Sequence, residues 1–567
     1  MSLPPTRYRL GTCLALCPPA SLVALLVALA FPRTLQIAGQ DEILHYVALG
    51  QRFYEHGFSH PEELITFSPH LYGVAIWLAH ASLGPGVAVA RLPGLAAWVL
   101  TAAILWSWLV RQPRAGATAG WMLALLVTAP LALQAAAIVD IDNTILVPAV
   151  LVLCLAVDHF VAHPGWRPGV GVAAALLVAL WCRVTTPVIL LPVFLLYAWL
   201  SRRECRTAAR LTLALAAGGA LFLLTWWAYC RATGVDVTGP FHYLVGSLIF
   251  CTVGESRGIR PAKIALTVTY VLFWVGPAVL CLWAVLGVER LRRLWRCRKA
   301  DTDDLFLLAS LAILGGYCLV GGTIFGFPKY HCPAFPLLLL ALPGTFGTVL
   351  RPAGRAGWLA AGGLFLAGAF VQAQLLGDPL LLLRLDLREA VLHGESGRRL
   401  LWDALVLPAL LAGVPLAALL AALCHRRLLA LPAALVCLAL GMNAGLVGTQ
   451  LAGGYQTGYN YGDAGDAQAA AALLDAWLPP GTTAVAPGEL VYLLDRPTVR
   501  HVPNEIWTAP AALRNELERP GVLAAASSLL TNTMAQLNSL VDVASATPGY
   551  QRVDVGHYVI FLRSAPP

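Results

Sequence analysis

Asp41-Glu42 is the first pair of side chains in this chain able to do proton chemistry. It follows an apolar run and opens a helix-like segment reaching Gly57, in which i, i+4 spacing puts Glu42 and Tyr46 on one face. Two carboxylates leaving an apolar run suit a general base or a divalent-metal site. The plainer reading is a helix start whose acids balance the dipole. Asp140-Ile141-Asp142-Asn143 is a second such pair, where Asp142 can equally cap a helix starting at Asn143. Arg183 stands between two apolar runs, in Arg183-Val184-Thr185-Thr186-Pro187, and its planar fork suits a carboxylate or a phosphate. Lys329-Tyr330-His331 heads a Pro-rich apolar run, where a cation either meets an anion or snorkels to a membrane surface. Acids for proton or metal chemistry, with cations suited to phosphate, point to a phospholipid-linked substrate or to ion transport.

These groups need a scaffold, and the composition says which kind. Of 567 residues, 58% are hydrophobic and only 12% charged, against about 25% charged in soluble domains. That excludes a soluble enzyme, a disordered chain and a coiled coil. A spanning helix needs about 20 mostly apolar residues. Thirteen such runs are read: 12–31, 88–110, 118–137, 142–162, 168–182, 184–201, 207–229, 262–287, 304–325, 332–350, 356–376, 401–424 and 428–451. The fifth and sixth meet at Arg183 and form either two spans or one broken helix. Residues 69–84 are too short and too dotted with His and Pro for a span, and are placed in the interface. Residues 12–31 read as a retained helix rather than a cleaved signal peptide.

Half of the 38 Lys and Arg residues fall in short segments that share one side if the N-terminus is cytoplasmic, as the positive-inside rule expects. An odd span count then puts residues 452–567 outside. The acids and cations above all gather at the outer surface, with His242, Glu255, Arg257, Arg260, Asp386, Arg388, Glu389 and His393 in later outer loops. Ionisable groups at membrane depth are costly and mark function or pairing. The 13 cysteines include no CxxC pair, and most lie in apolar runs or beside basic loops, so this is no disulfide scaffold.

Residues 452–567 differ in kind. A helical run Asp466–Trp477 leads through Pro479-Pro480-Gly481 to strand-like segments Thr483–Ala486, Thr498–Val502 and Gln551–Leu562. The expected organisation is an all-α polytopic membrane domain over 1–451, with a first outer loop at about 34–87, and a small extracytoplasmic α/β domain over 452–567.

Three pieces, in order, resemble the GT-C integral-membrane glycosyltransferases, in particular the protein O-mannosyltransferase and lipid A aminoarabinose transferase branch. The first is Asp41-Glu42-x-x-x-Tyr46…Gly57 followed by Ser68-Pro69-x-Leu71-Tyr72-x-x-x-x-Trp77…Gly84…Ala90-Arg91-Leu92-Pro93. The second is Asp140-x-Asp142 heading a span, with the Arg183 segment one helix pair later. The third is Lys329-Tyr330-His331-x-Pro333-Ala334-x-Pro336. Ser68 stands where family members often carry Lys or His, and Thr185 and Thr186 where a basic residue is common.

The resemblance implies transfer of a sugar from a polyprenyl-phosphate donor to a lipid, glycan or protein acceptor at the outer face of a bacterial inner membrane, with no nucleic-acid partner. It implies Asp41 as general base in an inverting single displacement. Arg183 and Lys329 would neutralise the departing phosphate, Tyr330 and His331 supplementing them. Asp140 or Asp142 would hold the acceptor, orient the cations, or join Asp41 and Glu42 around Mg²⁺ or Mn²⁺. A transporter predicts charges open to both sides and inverted repeats, neither of which is found. An envelope-assembly protein would leave Asp41 dispensable, and a polymer ligase would emphasise a large late outer loop, whereas 377–400 is modest.

Overall fold

A computed structural model describes residues 19–30, 47–59, 68–112, 116–241, 268, 271, 274–320, 328–342, 354–376, 407–452, 464–494, 498–500, 509–528, 534–556 and 558–563. The N-terminal part is a helical bundle. Its first helices are α1 (Pro19–Ala30), α2 (Ala48–His56), α3 (Leu71–Leu83), α4 (Val87–Arg111), α5 (Gly116–Thr128) and α6 (Pro130–Ala135). Then come α7 (Leu146–Ala162), α8 (Trp166–Cys182), α9 (Thr185–Arg202), α10 (Cys205–Thr233), α11 (Pro277–Cys297) and α12 (Thr302–Val320). The bundle closes with α13 (Ala334–Ala341), α14 (Gly354–Phe370), α15 (Leu407–His425) and α16 (Leu431–Ala452). Among the described residues, five of these (α4, α9, α10, α14 and α16) are long and apolar enough to cross a membrane. Leu213, Leu224, Leu359, Leu366 and Leu411 point outward, 61–78% exposed. In water such outward leucines would be an aggregation hazard; against lipid they are the expected surface.

The structure departs from the sequence reading where proline intervenes. The run 118–137 is not one helix. It breaks at Ala129, held extended (ψ 128°) by the ring of Pro130, which then starts α6. The run 142–162 begins its helix only at Leu146, so Asp142 does not cap a helix at Asn143. Residues 69–84 do form a helix, α3, packed on α2 and α4. At Arg183 the backbone is extended (φ −156°, ψ 135°), so the fifth and sixth runs are two separate helices. Pro187 sits in the first turn of α9, where its missing N–H costs no helical bond.

Small residues let α14 and α16 approach closely, as in membrane helix pairs. A Cβ on Gly441 would lie 2.1 Å from the Phe365 carbonyl oxygen, and one on Gly445 2.4 Å from that of Ala369. Gly441→Ala is therefore expected to cost roughly 2 kcal/mol by overpacking. Thermal unfolding of the detergent-purified protein checks this, since an unchanged midpoint would mean that the two helices are not in contact.

The bundle end remote from Arg183 is tied by charge. Arg290 pairs with Asp301 (2.9 Å), Asp304 (3.3 Å) and Asp303, and Arg293 with Asp301 (2.7 Å) and Asp304 (2.5 Å). Burial works against the Asp301 carboxylate, but Arg290 and Arg293 outweigh it and hold its pKa below the ordinary value. Thr302 and Tyr197 both donate to Asp158, joining α7, α9 and α12.

The C-terminal part is α/β: α17 (Ala464–Trp477), β1 (Thr483–Val485), α18 (Gly488–Leu494), β2 (Val499–Arg500), α19 (Pro510–Leu517), β3 (Val522–Ser528), α20 (Met534–Ala546), β4 (Tyr550–Val555) and β5 (Tyr558–Arg563). The sheet order is β2-β1-β3-β5-β4, with β1 parallel to β2 and β3 and β5 antiparallel to both its neighbours. The run Gln551–Leu562 is thus a hairpin rather than one strand, broken at Gly556 (φ +56°). Tyr558, Ile560 and Leu562 join one core with Leu474 and Leu490, and Val559 and Phe561 join the other with Leu513 and Leu540. The central strand β3, Val-Leu-Ala-Ala-Ala-Ser-Ser, lacks the alternation that marks a strand because both its faces are buried.

Candidate active site

The site is built on an irregular buried segment between α6 and α7. Non-helical backbone at membrane depth is tolerated only where protein satisfies its polar groups. Here the chain satisfies itself. Asn143 Nδ2 donates to the carbonyls of Ala135 (2.8 Å) and Ile138 (3.3 Å), and Trp98 on α4 donates to the Asn143 carbonyl (2.8 Å). Thr144 Oγ1 donates to the Asp140 carbonyl, and the Asp142 N–H to Asp140 Oδ1 (2.8 Å). This lattice fixes two carboxylates, Asp140 and Asp142, both buried.

Each carboxylate holds a cation from far along the chain. Lys329 Nζ lies 2.6 Å from Asp140 Oδ2, and Arg183 Nη1 3.1 Å from Asp142 Oδ2. Tyr330 sits between the cations, with Arg183 Cζ and Lys329 Nζ each 5.4 Å from its ring centroid. Tyr317 of α12 stacks on Tyr330 (5.1 Å, 13° between planes). Its hydroxyl meets Thr185 Oγ1 (2.9 Å) and Thr186 Oγ1 (2.7 Å), and Arg183 Nε donates to Thr185 Oγ1 (3.3 Å). His331 is buried with its ring against Tyr317 (5.9 Å). Lys329 thus has an acid partner at the site, beyond what snorkelling alone requires.

Six of the residues singled out from the sequence therefore meet: Asp140, Asp142, Arg183, Lys329, Tyr330 and His331. Asp41 and Glu42 lie outside the described residues, as do His242, Glu255, Arg257, Arg260, Asp386, Arg388, Glu389 and His393. Tyr317 was not anticipated, its one signal being a hydroxyl inside an otherwise apolar run. The two threonines that replace a basic residue of the resembled family find their use here, as partners of that hydroxyl. Asp140 and Asp142 are each engaged by a cation. Among the described residues no cluster of three or more His, Cys, Asp or Glu side chains would hold a metal ion.

An apolar groove of about 860 Å³ starts beside this cluster and runs between α3, α4, α7 and α8. Ile145 and Cys182, near neighbours of Asp142 and Arg183, line it together with Leu71, Leu100, Val152 and Val178. Leu100, Val152 and Val178 are 42–52% exposed, so the groove is open along this side of the bundle.

No family model matches the sequence, and no curated protein matches it. Solved structures do share its fold. The crystal structure of ArnT from Cupriavidus metallidurans bound to undecaprenyl phosphate is 15% identical with a TM-score of 0.60, covering 96% of this chain and 98% of that one. The apo-state structure of the same protein is 16% identical with a TM-score of 0.59, covering 97% and 98%. Nearly the whole chain thus shares the fold of these ArnT structures.

Proposed function

We propose that this chain is a membrane glycosyltransferase that moves a sugar from a polyprenyl-phosphate donor to an acceptor at the outer face of the membrane. The observation that carries the reading is the convergence of Asp140–Lys329 and Asp142–Arg183 around Tyr330, at the head of a groove suited to a hydrocarbon chain. The fold it shares with an ArnT structure that binds undecaprenyl phosphate supports the same substrate class.

In this mechanism the polyprenyl chain lies in the groove and its phosphate meets Arg183 and Lys329. Asp41 takes the proton from the acceptor hydroxyl as that oxygen attacks the anomeric carbon, and the lipid phosphate leaves from the opposite face. One displacement inverts the configuration, as in inverting glycosidases. Arg183 and Lys329 offset the charge that grows on the phosphate, in a site that excludes water. Asp140 and Asp142 orient those cations and keep the resting site close to neutral, which limits the cost of charge at membrane depth. Tyr330 and His331 shape the phosphate site, and Glu42 supports Asp41. Mg²⁺ or Mn²⁺, where it takes part, would be held by Asp41 and Glu42. The N-terminus is cytoplasmic, residues 1–451 are the transferase body, and residues 452–567 form the outer domain.

Mass analysis of envelope glycans and polyprenyl-phosphate sugars, with and without the protein, tests this. Accumulated donor and a missing sugar are expected on deletion. An unchanged donor pool with unchanged glycans would overturn the reading.

A further inference from the structure

We propose that His70 is a further ligand of the donor phosphate, its imidazole Nε2 donating a hydrogen bond to it. The inference rests on the lipid-phosphate reading above. His70 lies in the turn before α3 and is 3% exposed. Its Nδ1 is 2.7 Å from the hydroxyl of Tyr229, near the end of α10. Its ring meets Trp226 (5.9 Å) and Tyr229 (5.5 Å) edge-on.

Trp181 makes edge contacts with the same two rings, at 5.6 and 5.7 Å, and stands two residues before Arg183. The residues that follow His70 and precede Arg183, Leu71 and Cys182, both line the groove. His70 and Arg183 therefore flank the same end of it.

Among the described residues, Nε2 of His70 has no hydrogen-bond partner. A buried nitrogen left so is destabilising, and a ligand oxygen would remove that cost. A phenol donates better than it accepts, so the Tyr229 hydroxyl donates to Nδ1 and leaves the proton on Nε2. Burial lowers the His70 pKa to about 4, so the ring is neutral at physiological pH. The site's two cations are each balanced by an acid. A neutral N–H adds a phosphate contact without adding a charge to desolvate.

The test measures binding of undecaprenyl phosphate and of the uncharged undecaprenol to the detergent-purified full chain. His70→Phe keeps the aromatic packing and removes the donor. It is expected to weaken undecaprenyl phosphate binding about tenfold and to leave undecaprenol within about twofold. His70→Gln, which regains an N–H at similar reach, is expected to return phosphate binding to within about threefold of the original. Unchanged phosphate binding by His70→Phe, parallel loss of both lipids, or no recovery with His70→Gln would each overturn the assignment. If the unsubstituted protein binds neither lipid, the donor reading itself fails and takes this inference with it. If it binds and only the His70 variants behave as unsubstituted, the His70 assignment alone fails.

Discussion

Asp41→Asn is expected to leave the protein folded and to lower sugar transfer by about 10²–10⁴-fold, the range that a positioned general base contributes. Asparagine has nearly the shape of aspartate but cannot accept the acceptor's proton. The defect should lie in kcat, with donor binding retained, because in the proposed mechanism Arg183 and Lys329, not Asp41, hold the donor phosphate. Single-turnover transfer from a synthetic polyprenyl-phosphate sugar measures it. Near-normal transfer would remove Asp41 from the mechanism and shift attention to Glu42, the neighbouring carboxylate in the sequence.

Arg183→Ala is the second large effect, and it acts twice. It strands Asp142, whose carboxylate is 1% exposed, without its countercharge. Breaking a buried pair from one side costs about 3–5 kcal/mol, so the single variant should be markedly less stable. In the proposed mechanism it also removes charge stabilisation of the leaving phosphate, which is expected to lower transfer by about 10²–10³-fold. The double variant Arg183→Ala/Asp142→Ala separates the two. With both charges gone, much of the stability should return while transfer stays low. If transfer returns as well, Arg183 serves only to neutralise Asp142, and the phosphate role belongs elsewhere. Thermal unfolding and a transfer assay on the same preparations decide this.

The legible part of this chain is what water and lipid impose on composition. Long apolar runs must bury their backbone hydrogen bonds in helices, so most helices could be read directly from apolar length. Charges are scarce in such a chain, and each stands out. That is how Asp140, Asp142, Arg183 and Lys329 were found without any view of their contacts. What could not be read was the break at Ala129-Pro130 and the irregular course to Leu146, because local hydropathy is blind to backbone geometry. The hairpin at Gly556 and the alanine-rich strand β3 were missed for a related reason. Alternation reports a half-buried strand and is silent on turn chemistry and on strands covered on both faces.

The sequence by itself determined the class of solvent the protein lives in, the helical scaffold, and the short roster of groups able to do chemistry. It did so because hydropathy and charge are properties of single residues and short windows. Tertiary structure alone decided the pairing: Asp140 with Lys329, 189 positions away, and Asp142 with Arg183, both packed around Tyr330 and Tyr317. Which acid meets which cation depends on where helices cross, and crossing is set by packing over the whole bundle. The same packing joined His70 to Tyr229 across 159 positions, turning an unremarked histidine in the first loop into a candidate ligand.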